Sequence, residues 1–213
     1  MKTDDLIALM AADAKKPTAA FPATRRLGPA ALIGAVIALA VLIAWLGLRD
    51  MGEAVASTSY WMKTLYTAAL AAAGFLVAER LSRPGAKATR GVIVLVTVLA
   101  VMLGIAIVQL LATPPDAMRE ALMGSTWDRC PWRIVALAVP GLALSLLAMR
   151  RLAPTRPTLA GAAAGLFVGG ISATVYGLHC AETSAAFTLI WYTGGVVLST
   201  ALGALAGWRL LRW

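Results

Sequence analysis

Charge is scarce in this sequence. Asp, Glu, Lys and Arg make up 14% of its 213 residues, and there is a single histidine, His179. A soluble domain carries about 25% charged residues and about 45–50% apolar ones, so a fold built for water is a poor fit. The two cysteines, Cys130 and Cys180, form no Cys-x-x-Cys, which excludes a disulfide framework and a thioredoxin-like motif. P-loop, zincin and phosphotransfer signatures are missing. No Asp, Glu, Lys or Arg lies near the middle of any long apolar run, so the intramembrane charges that ion-coupled transporters use are lacking. A cleavable signal is also missing: the first apolar run begins about 27 residues in, and Arg49 and Asp50 follow it without a small-residue cleavage site.

What is present is apolar surface, 60% of the chain, gathered into six runs at roughly 28–48, 60–79, 91–112, 133–149, 158–178 and 187–208. Each is close to the ~20 residues that cross a hydrocarbon core as a helix. None shows the alternation of a barrel strand, and a spanning segment must satisfy its backbone internally. The expected fold class is all-α: a six-helix transmembrane bundle over residues 27–213, preceded by a cytoplasmic N-terminal segment, 1–26, with a short amphipathic helix.

The net charge of +9 belongs to the ends of these runs and not to one face of a domain, so it points to the bilayer and not to direct nucleic-acid binding. Fourteen of the 19 lysines and arginines fall in the N-terminal segment, the second and fourth loops and the C-terminus. The positive-inside rule then places both termini in the cytoplasm. Lys63, a few residues inside the second run, is expected to snorkel to the outer surface. Small residues recur every four positions in the fifth run (Gly161, Gly165, Gly169, Ala173, Gly177) and in the sixth (Gly195, Ser199, Gly203, Gly207). Such ladders let helix backbones approach closely, either within one chain or across a homodimer.

Two places carry chemistry. At the N-terminus Thr3 can cap a helix whose first turn holds Asp4 and Asp5, with Leu6, Ile7, Leu9 and Met10 forming an apolar stripe over residues 3–13. This is either a solvated tail or a helix that docks in a partner's groove. On the outer face the third loop holds Asp128 and Cys130, and the fifth holds His179, Cys180 and Glu182. Counting residues along the hairpin of the fourth and fifth helices puts the two cysteines at about the same height. Three readings compete: two buried apolar residues, a structural or redox-sensitive disulfide, or a soft-metal site completed by His179, Asp128 and Glu182. No obligatory cofactor follows from these residues.

The opening Met1-Lys2-Thr3-Asp4-Asp5-Leu6-Ile7, the six spans and one cysteine in each of the second and third outer loops resemble the DUF1109 or NrsF family, negative regulators of a sigma factor. The resemblance covers essentially the whole chain. It implies an inner-membrane anti-sigma factor, not an enzyme, that sequesters an extracytoplasmic-function sigma factor at the cytoplasmic face. It further implies that Cys130 and Cys180 are needed for a response to heavy metals such as chromate and cadmium. The partner-binding residues would be Thr3, Asp4, Asp5, Leu6, Ile7, Leu9 and Met10. With only about 26 residues ahead of the membrane, that segment would hardly supply a standard interface of ~800 Å² per partner by itself, so either the basic second and fourth loops help or the interaction is weak and aided by membrane confinement. Two other classes fit the residues less well: a membrane thiol-disulfide oxidoreductase, which lacks a Cys-x-x-Cys, and a small-molecule or metal transporter, which lacks buried charge.

Overall fold

The structure, a computed structural model, describes residues 3–5, 24–82, 86–150, 152 and 154–212. Among these residues there is no strand. Six helices are long and apolar enough to cross a membrane. They are α1 (Thr24–Trp45), α3 (Thr58–Leu81), α4 (Thr89–Leu111), α6 (Cys130–Arg150), α7 (Pro157–Tyr176) and α8 (Ala185–Leu210). Two short helices, α2 (Met51–Ala56) and α5 (Met118–Met123), lie in the loops at the end of the bundle that carries the cysteines. Neither is expected from the apolar pattern of the sequence.

The helix ends follow local chemistry. Gly47, at φ +76°, closes α1 at Trp45, three residues short of the expected boundary, because that left-handed geometry suits glycine. The Asp50 carboxylate accepts the Gly52 N–H at 2.8 Å to cap α2, and the Ser57 hydroxyl accepts the Tyr60 N–H at 3.3 Å to cap α3. Pro157 occupies the first turn of α7, where its missing N–H costs nothing. Helix α8 contains a π-helical turn, Thr188–Tyr192. Its extra residue re-aims the face, so that Tyr192 is buried at the cysteine end while Gly195 lies against Ile134 of α6 and Ser199, Gly203 and Gly207 face α7.

Helix α7 is the centre of the bundle: 61% of its span is buried, against 17% of α4. It packs on α8, α3, α6 and α1. The reason is its small-residue faces. A Cβ at Gly161 or Gly165 would strike the backbone of Gly203 or Ser199 on α8, and one at Gly170 would meet Ala71 on α3. The converse holds for Gly74 of α3 against Phe167, and Gly34 of α1 lies against Gly141 of α6. From Gly161 to Gly169 and from Ser199 to Gly207 the two ladders therefore face each other within one chain. Large apolar side chains on the periphery, such as Leu32, Val36, Val108 and Leu205, are exposed, as expected where lipid is the solvent. Two buried clusters fill the interior. One surrounds Cys130, Cys180, Tyr176 and Tyr192; the other, at the opposite end, surrounds Leu27, Met149 and Leu211.

Thr3, Asp4 and Asp5 are helical and exposed. The rest of the expected docking stripe, Leu6, Ile7, Leu9 and Met10, lies outside the described residues.

Replacing Gly165 by Ala drives a methyl into the Ser199 carbonyl and is expected to cost about 1–3 kcal/mol. Gly104→Ala, where a Cβ meets nothing within 4 Å, is expected to be neutral or stabilising by up to about 1 kcal/mol. Thermal unfolding of the purified variants in detergent checks the pair, and equal midpoints would contradict the packing described.

Candidate functional site

Cys130 begins α6, and its N–H donates to the Thr126 carbonyl at 2.9 Å. Cys180 follows the last turn of α7, with its N–H donating to Tyr176 at 3.1 Å. Both are free thiols, 0% and 3% exposed, in the same buried cluster. The hairpin count is thus met in space: the two cysteines share one end and one core. Cys180 Sγ also lies 4.0 Å from the Thr126 hydroxyl.

The loop that carries Cys180, residues 177–184, is held from three sides. Lys63 of α3 donates its ammonium to the Cys180 carbonyl at 3.1 Å and to the Glu182 carbonyl at 2.5 Å. The Arg49 guanidinium donates to the same Cys180 carbonyl at 3.3 Å and stacks 5.0 Å over the Tyr60 ring. The Glu182 carboxylate accepts from the Ser125 N–H at 2.8 Å, the Ser125 hydroxyl at 2.7 Å and the Thr126 hydroxyl at 3.3 Å. Gly124, at φ +55°, makes that last contact set possible, since a Cβ there would collide with the Glu182 carboxylate. Charge-assisted bonds of this kind are about twice as strong as neutral ones.

Lys63 corrects an expectation. It does not snorkel: it is 1% exposed, with its ammonium 5.3 Å from the Tyr192 ring centroid. The two loop carbonyls stand in for the water it would otherwise seek. A signal for this was present in the sequence. Tyr60, Lys63, Thr67, Leu70 and Gly74 recur at helical spacing and form the buried face of α3, so the lysine was always on the inward side.

The other expected metal ligands are engaged elsewhere. His179 Nδ1 lies 3.1 Å from the Gly47 carbonyl, which can only accept, so the proton sits there; Nε2 then accepts from Arg133 at 3.4 Å. Asp128 is exposed and paired at 3.4 Å with Arg129. Glu182 bonds Ser125 and Thr126. Among the described residues no group of three or more His, Cys, Asp or Glu is arranged to hold a metal ion. His179, Cys180 and Glu182 nonetheless border one cleft of about 300 Å³ with Ser125, Thr126 and Tyr176. Lining it or behind it, the Tyr176 and Tyr192 hydroxyls are buried without a protein partner, and their rings pack at 5.6 Å. The cleft thus offers one soft sulfur, one carboxylate and uncommitted hydroxyls, with the second sulfur in the same cluster.

Lys63→Met keeps the length and removes the ammonium. The Cys180 segment is then expected to loosen, and a small maleimide should label Cys180 at least about tenfold faster than in the parent protein. That factor corresponds to ~1.4 kcal/mol of lost restraint, the size of one charged hydrogen bond. Unchanged labelling would show that Lys63 does not hold the loop.

A family model described as "Negative regulator of sigma F" matches residues 10–213. The anti-sigma-F factor NrsF of Caulobacter vibrioides (strain NA1000 / CB15N) is 45% identical over 215 residues, covering 100% of both chains. A probable anti-sigma-F factor NrsF of Azospira oryzae (strain ATCC BAA-33 / DSM 13638 / PS) is 40% identical over 217 residues, again covering 100% of each. No solved structure is significantly similar. A match across nearly the whole chain, with two full-length relatives well above 30% identity, means that this protein belongs to the NrsF family of negative regulators of sigma F.

Proposed function

We propose that the chain is a membrane-bound anti-sigma factor that holds a sigma factor at one end of its bundle and releases it when Cys130 and Cys180 are engaged at the other. The observation that carries the first half is full-length membership of a family whose named relatives are anti-sigma-F factors. Regulation by binding, with no catalytic step, is consistent with that membership. The distribution of basic residues supports an inner-membrane orientation with both termini in the cytoplasm and the cysteines in the periplasm. The partner is a sigma factor of the extracytoplasmic-function class, and Thr3 to Met10 form the docking helix, with Leu6, Ile7, Leu9 and Met10 as its apolar anchors.

The second half rests on thiol chemistry. Soft metal ions are selected by thiolates, and the ion must displace thiol protons to bind. Cys130 and Cys180 supply two soft donors near the cations Lys63, Arg49 and Arg133. The heavy-metal ion is the signal here, not a resident cofactor; oxidation of the same thiols is the other input this chemistry allows. Both thiols are buried, so engagement requires the 177–184 loop to part from Lys63. That loop joins α7 to α8, the most closely packed helix pair, so its displacement loads the centre of the bundle. Release follows only if the ligand prefers the displaced state. Moving a 99:1 population to 1:99 needs a preference of about 10⁴-fold.

Affinity capture of the full-length protein from detergent extract, with and without cadmium, tests this reading. The sigma factor is expected to co-purify without cadmium and to fall at least several-fold with it. Deletion of residues 1–15 should abolish capture, and a Cys130→Ser, Cys180→Ser double variant should keep capture but ignore cadmium. Capture that survives the deletion would remove the docking role, and a cadmium response intact in the double variant would remove the sensing role.

A further inference from the structure

A cleft of about 610 Å³ opens at the end of the bundle away from the cysteines. It exists because α4 packs along α3 and against the first turns of α8 at the cysteine end, but makes no substantial contact with α7. The helices therefore diverge toward residues 86–92. The floor is apolar: Val77 and Leu81 of α3, Leu95 of α4, Leu159 and Leu166 of α7. Leu166 is nine residues beyond Pro157, so the cleft reaches ~14 Å into the apolar zone along α7. Two cations line it from different elements, Lys87 from the loop before α4 and Arg156 at the N-cap of α7. Both are exposed, and neither is paired with a carboxylate among the described residues.

We propose that this cleft is a binding site for one anionic phospholipid, whose phosphate sits between Lys87 and Arg156 and whose acyl chain lies along Leu159, Leu166 and Leu95. Charge complementarity selects the headgroup, because basic pockets between transmembrane helices attract anionic lipid, each cation near the surface contributing roughly a fivefold factor in affinity. Depth selects the tail. A peptide entering from water would carry its backbone into a zone with no partners for it, whereas an acyl chain has no polar group to satisfy. The inference needs only that the six helices span a membrane; Lys87 and Arg156 lie in the second and fourth loops, and the lipid measurement below contains no sigma factor, so the two roles are read separately.

The test uses the delipidated full-length protein in neutral detergent, with phosphatidylglycerol and phosphatidylcholine of identical acyl chains, and bound lipid counted by native mass spectrometry. Phosphatidylglycerol is expected to bind at least about tenfold more tightly. A Lys87→Gln, Arg156→Gln double variant should lose about 30-fold for phosphatidylglycerol and little for phosphatidylcholine. Ala162→Phe, which fills the cleft, should weaken both; if that variant fails to fold, the charge variant alone decides, since its changes are on the surface. Equal binding of the two lipids, unchanged phosphatidylglycerol binding in the charge variant, or displacement of the lipid by inorganic phosphate or by an acidic peptide would each overturn the proposal.

Discussion

The approach of α7 to its neighbours is the constraint on which the rest of the structure depends. Lipid gives no hydrophobic drive for helix association, so packing and close backbone contact have to supply it. Gly161 and Gly165 against Gly203 and Ser199, together with Gly170 against Ala71, bring α8 and α3 onto opposite sides of α7. Once those three helices are fixed, the loop between α7 and α8 is fixed as well. Lys63, on the buried face of α3, then finds the carbonyls of that loop within hydrogen-bond reach. The same arrangement leaves α4 attached along one side only, which opens the cleft between Lys87 and Arg156.

A buried lysine in a spanning helix is costly unless its donors are used. Here they go to backbone carbonyls and not to a carboxylate, so the ammonium binds the loop's shape and not its charge. Glu182 does the complementary task, binding its carboxylate to Ser125 and Thr126 just ahead of Cys130. Between them these two residues join α3, the 177–184 loop and the segment entering α6. Cys130 and Cys180 sit inside that junction. In the proposed function a thiol-directed ligand enters where three helices are tied together, which is where a small displacement has most to act on.

Much of the fold was legible in the sequence because lipid imposes a simple rule. Six apolar runs became six helices, with ends moved by four residues or fewer, and the four-residue spacing of Gly161–Gly169 and Ser199–Gly207 marked the faces that meet. The shared height of Cys130 and Cys180 followed from counting rise per residue. What the sequence concealed were contacts that depend on side-chain direction. Lys63 was read by its type, which suggested an interfacial lysine, although its spacing from Tyr60 and Thr67 pointed inward. His179, Asp128 and Glu182 were grouped by proximity in the chain, yet each has a different partner: Gly47 and Arg133, Arg129, and Ser125 with Thr126. Apart from the adjacent Arg129, these partners lie 46 to 132 residues away and leave no local signature. The helices α2 and α5 are six residues each, too short for periodicity to reveal them.

The central claim is that events at Cys130 and Cys180 alter the opposite end of the bundle. Hydrogen exchange of the full-length protein with and without cadmium measures this most directly. The account predicts that amides in 120–134 and 177–184 change protection together with those in 86–92 and 154–160, which lie at the other end of the bundle, a full 20-residue α7 away. A change confined to the cysteine end, with 86–92 and 154–160 unaltered, would contradict it.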